Sequence, residues 1–292
     1  MNRLLYLVGA LLLVAGLVHL GVFVVDDVPW EGPVSWRKPF TFGVSFGLSV
    51  LTLTWVSQFV RIRARPVWLG VFAAASTMEV ALITLQAWRG VPSHFNMETA
   101  VDTAISRTLA VGGGTLVAIS IAMTIAAFRA NPDVPPSMRL AVRAGFATLL
   151  AAMAFGAVMI ARGIVEVMTG DQRLAYTVAI TLKPAHAVFM HGVLLLPALA
   201  WLLTRTLPSE SQRLRLIRLA TWTYIAFATV VSGLALVGVT LVTPSTASLL
   251  CAGAISGLAI AALALGRLTR RPSGHQPNPD ASTRTPLQET QH

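Results

Sequence analysis

Runs of about 20 mostly apolar residues recur along this chain, and they constrain its fold more than any single motif. A helix rises 1.5 Å per residue, so roughly 20 such residues cross about 30 Å of hydrocarbon. The runs read as helices over 4–25, 41–60, 67–88, 108–128, 144–168, 186–204, 219–242 and 247–266. Pro39 and Pro184 fall at or just before helix starts, where proline's missing N–H does no harm. Pro66 precedes the third run, and the 131–136 stretch breaks the chain before the fifth. Thr243-Pro244-Ser245-Thr246 has to turn tightly between the last two runs; without that turn the count falls to seven. The expected fold is an all-α, polytopic transmembrane bundle of about eight spans over residues 1–267. Residues 268–292 are polar, rich in Pro, Ser, Thr and Arg, and read as a disordered tail.

Composition agrees. The 292 residues are 55% apolar and 12% charged, against about 25% charged in an average soluble domain. The net charge of +10 does not point to nucleic acid, because the basic residues sit in short connectors and not along one folded face. Connectors 61–66, 129–143 and 205–218, with the two termini, hold 15 of the 22 Lys and Arg; the alternate connectors hold six. By the positive-inside rule both termini are then cytoplasmic, with Arg61, Arg63 and Arg65 as the clearest anchor. Only Lys38 and Lys183 are lysines. That bias, with abundant Ala, Val and Gly, suits a GC-rich bacterial genome and hence a bacterial plasma membrane. The first run is too long for a signal-peptide core and lacks a cleavage pattern, so it is kept as a helix. The lone Cys251 excludes an intramolecular disulfide and a paired-cysteine metal site. No nucleotide-binding glycine motif occurs. Gly112-Gly113-Gly114 lies within a span and reads as close packing, or else as a flexible break near a site. Gly43, Ser45, Gly47 and Ser49 read as close helix packing.

Ionisable residues inside a bilayer cost about 2.5–3.5 kcal/mol at its centre on insertion scales, so they need partners and by default suggest function. With the topology above, His19, Glu79, Gln86, Arg162, Glu166, His186 and His191 all fall between the midplane and the outer boundary, in the first six helices. Residues 219–266 carry no charge and no histidine. A single polar pocket open to the outside would account for the shared depth. Each residue also has a plainer role: Arg162 and Glu166 stand four apart and can neutralise each other, and Trp30, Trp36 and Trp88 fit an interfacial aromatic belt.

The stretch Trp36-Arg37-Lys38-Pro39-Phe40-Thr41-Phe42, followed by Glu79, Gln86, Arg89-Gly90 and Ser93-His94-Phe95-Asn96, resembles a widespread group of bacterial multi-pass membrane proteins with no assigned activity. Their pattern runs W-x-K-P-x-x-F, then E and Q-x-x-R-G-x-x-S-H-F-N, then H-x4-H ahead of a proline, matched here by His186, His191 and Pro197. Those relatives often carry a polar segment with a glutamine after the second histidine, where this chain has Gly192-Val193-Leu194-Leu195. The resemblance covers about residues 30–100 and 183–200, and implies which residues matter without implying a reaction. Lys38-Pro39 also precedes Gly47 at the spacing by which Lys183-Pro184 precedes Gly192, an echo that a four-plus-four parallel repeat would produce.

Three functions fit these residues. In the first, His94, His186 and His191 hold haem or a transition metal, with a carboxylate as ligand or as support. Five residues set His186 and His191 about 140° apart around a helix, so they would not face one metal without distortion. In the second, a membrane enzyme without a cofactor acts on a lipid-like or isoprenoid substrate, with Glu79 as acid or base and Arg162 and Glu166 in support. His19, Gln86, Arg89, Ser93, Asn96, Lys38 and Lys183 line the pocket in either case. In the third, the chain is a small-molecule transporter, against which the apolar inner halves of the helices argue. A structural, sensory or assembly role, with Ser93-His94-Phe95-Asn96 meeting a partner, is the remaining class. The expected partners are the bilayer and a small apolar or lipid-like ligand.

Overall fold

A computed structural model describes residues 1–26, 29–30 and 32–239. Among these residues the chain is helical, without strands, and seven helices are long and apolar enough to cross a membrane. They are α1 (Asn2–Val25), α2 (Arg37–Val56, extended by a 3-10 turn at Ser57–Phe59), α3 (Arg65–Trp88), α4 (Ala100–Phe128), α5 (Pro136–Thr169), α6 (Lys183–Thr206, entered through a 3-10 turn at Ile180–Leu182) and α7 (Glu210–Leu236). The pattern is that of a multi-pass membrane protein. The first seven expected spans overlap these helices in order. The eighth, at 247–266, lies outside the described residues, with the 243–246 turn, the tail and Cys251, as do Asp27 and Glu31.

Two helices start well before their apolar runs, at Ala100 and Pro136, because polar residues cap them. Thr99 Oγ1 accepts the Asp102 N–H at 3.1 Å and donates to Asp102 Oδ2 at 2.6 Å, which closes the first turn of α4. Pro136 opens α5, and Glu210, at the start of α7, accepts the Ser137 N–H at 2.7 Å. The other end of α4 is closed by Arg143, whose guanidinium donates to the carbonyls of Ala127, Phe128 and Arg129. Unpaired carbonyls at a helix C-terminus attract such a cation.

Small residues set the closest helix contacts, as expected for membrane bundles. A Cβ at Gly43 of α2 would lie 2.6 Å from Gly16 Cα of α1, and one at Gly47 would lie 2.7 Å from the Gly9 carbonyl oxygen. Ser45 and Ser49 are half-buried on other faces. The α5–α6 pair is built alike: a Cβ at Gly145 would lie 3.0 Å from the Gly192 carbonyl oxygen, and one at Gly192 would strike Thr148. Gly47 and Gly192, each nine residues after a Lys-Pro pair, thus meet the helix before them through matching glycines. Leu4, Leu7, Leu11, Val14 and Val18 of α1 are exposed, an apolar face of the kind a bilayer covers.

Candidate functional site

Glu79 occupies the middle of α3 and is 3% exposed. Its Oε1 has no hydrogen-bond partner, and neither has Oγ of Ser76, one turn earlier and wholly buried. Two orphaned polar atoms on one helix face demand an explanation, since buried polar groups in native proteins are nearly always paired. The carboxyl sits against α4 where that helix lacks side chains. A Cβ at Gly112 would lie 2.5 Å from Glu79 Oε1, and Cβ atoms at Gly113 and Gly114 would meet nothing within 4 Å. Gly112 is therefore the seat for the carboxyl, and the triplet is not a break, because α4 runs unbroken through it.

Above and below this seat the bundle is apolar. Toward the α3 C-terminus, Ile83, Ile105 and Leu109 form a buried cluster with Leu82 and Phe42 packed against it. Toward the other end runs the main core, with Leu69, Phe72, Leu116, Ile119 and Met123 among its members.

Beyond the upper cluster lies a closed polar network. Gln86, fully buried, donates from Nε2 to Asp102 Oδ1 at 2.9 Å. Arg89 reaches the same Oδ1 at 2.7 Å and also donates to the Gln86 side-chain oxygen. With Thr99 on Oδ2, both oxygens of Asp102 are engaged. Asp102 is 2% exposed, and the sequence reading passed over it. The signal was present in Thr99-x-x-Asp102, a capping box ahead of an apolar run.

The loop after Arg89 folds back into the bundle. Ser93 and Asn96 are 3% and 0% exposed. The ring of Phe95, whose φ is +60°, fills the space a side chain at Gly163 of α5 would need. His94 lies beside Phe42, with ring centroids 5.9 Å apart, and Ser93 Oγ is 3.0 Å from its Nδ1. Burial and the nearby Lys38 ammonium push its imidazole down from 6.5 to about 3, so it is neutral. Lys38 itself reaches the Pro33 carbonyl and the Tyr176 ring. Asn96 accepts the Glu98 N–H, but its Nδ2 has no partner.

The remaining expected site residues are dispersed. His19 belongs to an aromatic group: its Nε2 accepts from Trp88 Nε1 at 3.2 Å, and its ring lies 6.0 Å from that of Trp36. His186 directs Nδ1 to the Ala152 carbonyl of α5 at 2.7 Å. His191 is exposed and bonds to Ala187, within its own helix. Among the described residues no three His, Cys, Asp or Glu side chains assemble to hold a metal ion. His94, His186 and His191 each bond to a different partner. Lys183 starts α6. Arg162 is exposed and Glu166 half-buried. No ion pair joins them, so the expected neutralising pair does not form, and neither approaches Glu79, which is enclosed by α3 and α4. Compared with protein-family models, curated proteins and solved structures, the chain matches none.

Proposed function

We propose that this is an eight-span protein of a bacterial plasma membrane, both termini cytoplasmic, in which Glu79 exchanges a proton with a lipid-like or isoprenoid substrate. The observation that carries the reading is the unpartnered Glu79 Oε1, buried one turn from an equally unpartnered Ser76 hydroxyl. A buried carboxyl can donate a proton to a substrate atom and take it back. General acid–base chemistry of this kind contributes about 10²–10⁴-fold to rates. Ser76 is within reach to orient a polar group of the substrate. The absence of side chains at Gly112, Gly113 and Gly114 leaves α4 thin beside the carboxyl, which favours a ligand arriving past that helix. The apolar core beneath Glu79 favours an enzyme over a carrier, which must open its site to both faces. The local pattern around Gln86, Arg89 and Ser93-His94-Phe95-Asn96 supports membership in the bacterial group it resembles.

The test compares lipid extracts by mass spectrometry from cells expressing the wild type, Glu79→Gln and Ser76→Ala. A species that accumulates or vanishes with the wild type and not with Glu79→Gln is the expected result. Identical profiles for wild type and Glu79→Gln, at equal protein levels, would remove Glu79 from any lipid chemistry.

A second reading, haem ligation, rests on His186. Its Nδ1 is fixed on a backbone carbonyl, the arrangement that orients a ligating imidazole and leaves Nε2 to the metal. Protein purified in detergent without a haem absorption band would dispose of it.

A further inference from the structure

The ends of α1 and α3 and the start of α2 enclose a second feature, unrelated to Glu79. A cleft of about 410 Å³ is lined by Gly21, Val22, Val25, Asp26, Trp36 and Trp88. The indole rings of Trp36 and Trp88 lie 4.9 Å apart, inclined at 63°. Both indole N–H groups are already spent, Trp36 Nε1 on Asp26 Oδ2 at 2.5 Å and Trp88 Nε1 on His19 Nε2 at 3.2 Å. What the lining side chains still offer is a carboxylate, two π faces and the aliphatic surface of α1. None of these is a donor for an anion; all three attract a cation with an apolar body. The helix termini add to this, because Val25 and Trp88 are the last residues of α1 and α3, and helix C-termini carry partial negative charge. The nearby cations have partners of their own. Arg37 Nε donates to the Trp30 carbonyl, Lys38 Nζ to the Pro33 carbonyl, and Arg89 to Asp102 and Gln86.

We propose that this cleft binds an alkylammonium group, Asp26 supplying the countercharge and Trp36 and Trp88 the cation–π faces. The chemistry is common to a free quaternary ammonium ion and to the amine headgroup of a phospholipid, and the two are separable by experiment. The full chain in nanodiscs of phosphatidylglycerol is titrated with tetraethylammonium and followed by tryptophan emission. In parallel, nanodiscs containing phosphatidylethanolamine are assayed for retained lipid by native mass spectrometry. Saturable binding in the first arm identifies a soluble cation, and selective retention in the second a lipid. Asp26→Asn is expected to weaken whichever binding occurs about tenfold. Val25→Lys, at the last residue of α1 and 85% exposed, is expected to abolish it by placing an ammonium in the cleft. Trp222→Phe on α7 is expected to leave the affinity unchanged. Absence of binding in both arms overturns the proposal, as does undiminished affinity in both Asp26→Asn and Val25→Lys.

Discussion

Gly112 of α4 and Glu79 of α3 fit as seat and occupant: a methyl group on the glycine would lie 2.5 Å from the carboxyl oxygen. Gly112→Ala is therefore expected to destabilise the bundle by about 1–3 kcal/mol, the usual cost of overpacking. Gly113→Ala and Gly114→Ala, which meet nothing within 4 Å, are expected to be neutral or slightly stabilising. Thermal unfolding in detergent reads the difference. Combining Gly112→Ala with Glu79→Ala should cost less than the two singles added, since the second change vacates the space the methyl group needs.

Glu79→Gln keeps the shape of the side chain and replaces the carboxyl by an amide. Its stability is expected to stay within about 1 kcal/mol of the wild type. A loss of folded protein comparable to that of Gly112→Ala would show that a charged Glu79 holds α3 and α4 together, and would contradict the acid–base reading.

The Arg89–Asp102 pair should matter more than the Arg61–Asp133 pair. The former shares its carboxylate with Gln86 and Thr99, and the Asp102 side chain is 3% exposed; in the latter the side chains are 53% and 78% exposed. Asp102→Asn is expected to lower the thermal midpoint clearly. Asp133→Asn is expected to change stability by less than about 1 kcal/mol, as exposed pairs do. Equal effects would mean the Gln86 network contributes nothing beyond a surface ion pair.

His94 gives the loop between α3 and α4 a pH dependence. Its folded value, about 3, lies below the ordinary 6.5, so between these two the unfolded chain binds a proton that the folded loop refuses. Stability then rises with pH across that interval: it is complete above about 6.5 and declines as pH falls toward 3. Hydrogen-exchange protection in residues 90–98, corrected for the intrinsic rate at each pH, should fall below pH 6 in the wild type. It should do so less in His94→Gln, with α5 as the internal reference.

Much of the bundle was legible because the bilayer imposes one length on every apolar run. The seven described helices match the expected spans where hydrophobicity decides the boundary, as at Val25, Trp88 and Phe128. They differ where polar caps decide it, as at Thr99 and Pro136. The site was legible only in part. Glu79 and Gln86 stand out because buried polar groups are costly in any apolar run. Asp102 hid in what looked like a connector, and Arg162 and Glu166 looked like a pair because sequence spacing does not reveal rotamers. The partners of His94, His186 and His191 were not legible, because residue type carries no information on which neighbour each ring finds. The role of Gly112 became visible only with α3 beside it.

The Ile83–Ile105–Leu109 cluster sets a clock for the carboxyl below it. Gln86 stands seven residues, about 10 Å, from Glu79 along the helix, and Ile83, Ile105 and Leu109 between them are almost wholly buried. A proton entering or leaving from that end has to wait for the two helices to part, a collective motion of microseconds to milliseconds. Proton exchange at Glu79 from that side is then gated by helix motion and not by proton diffusion.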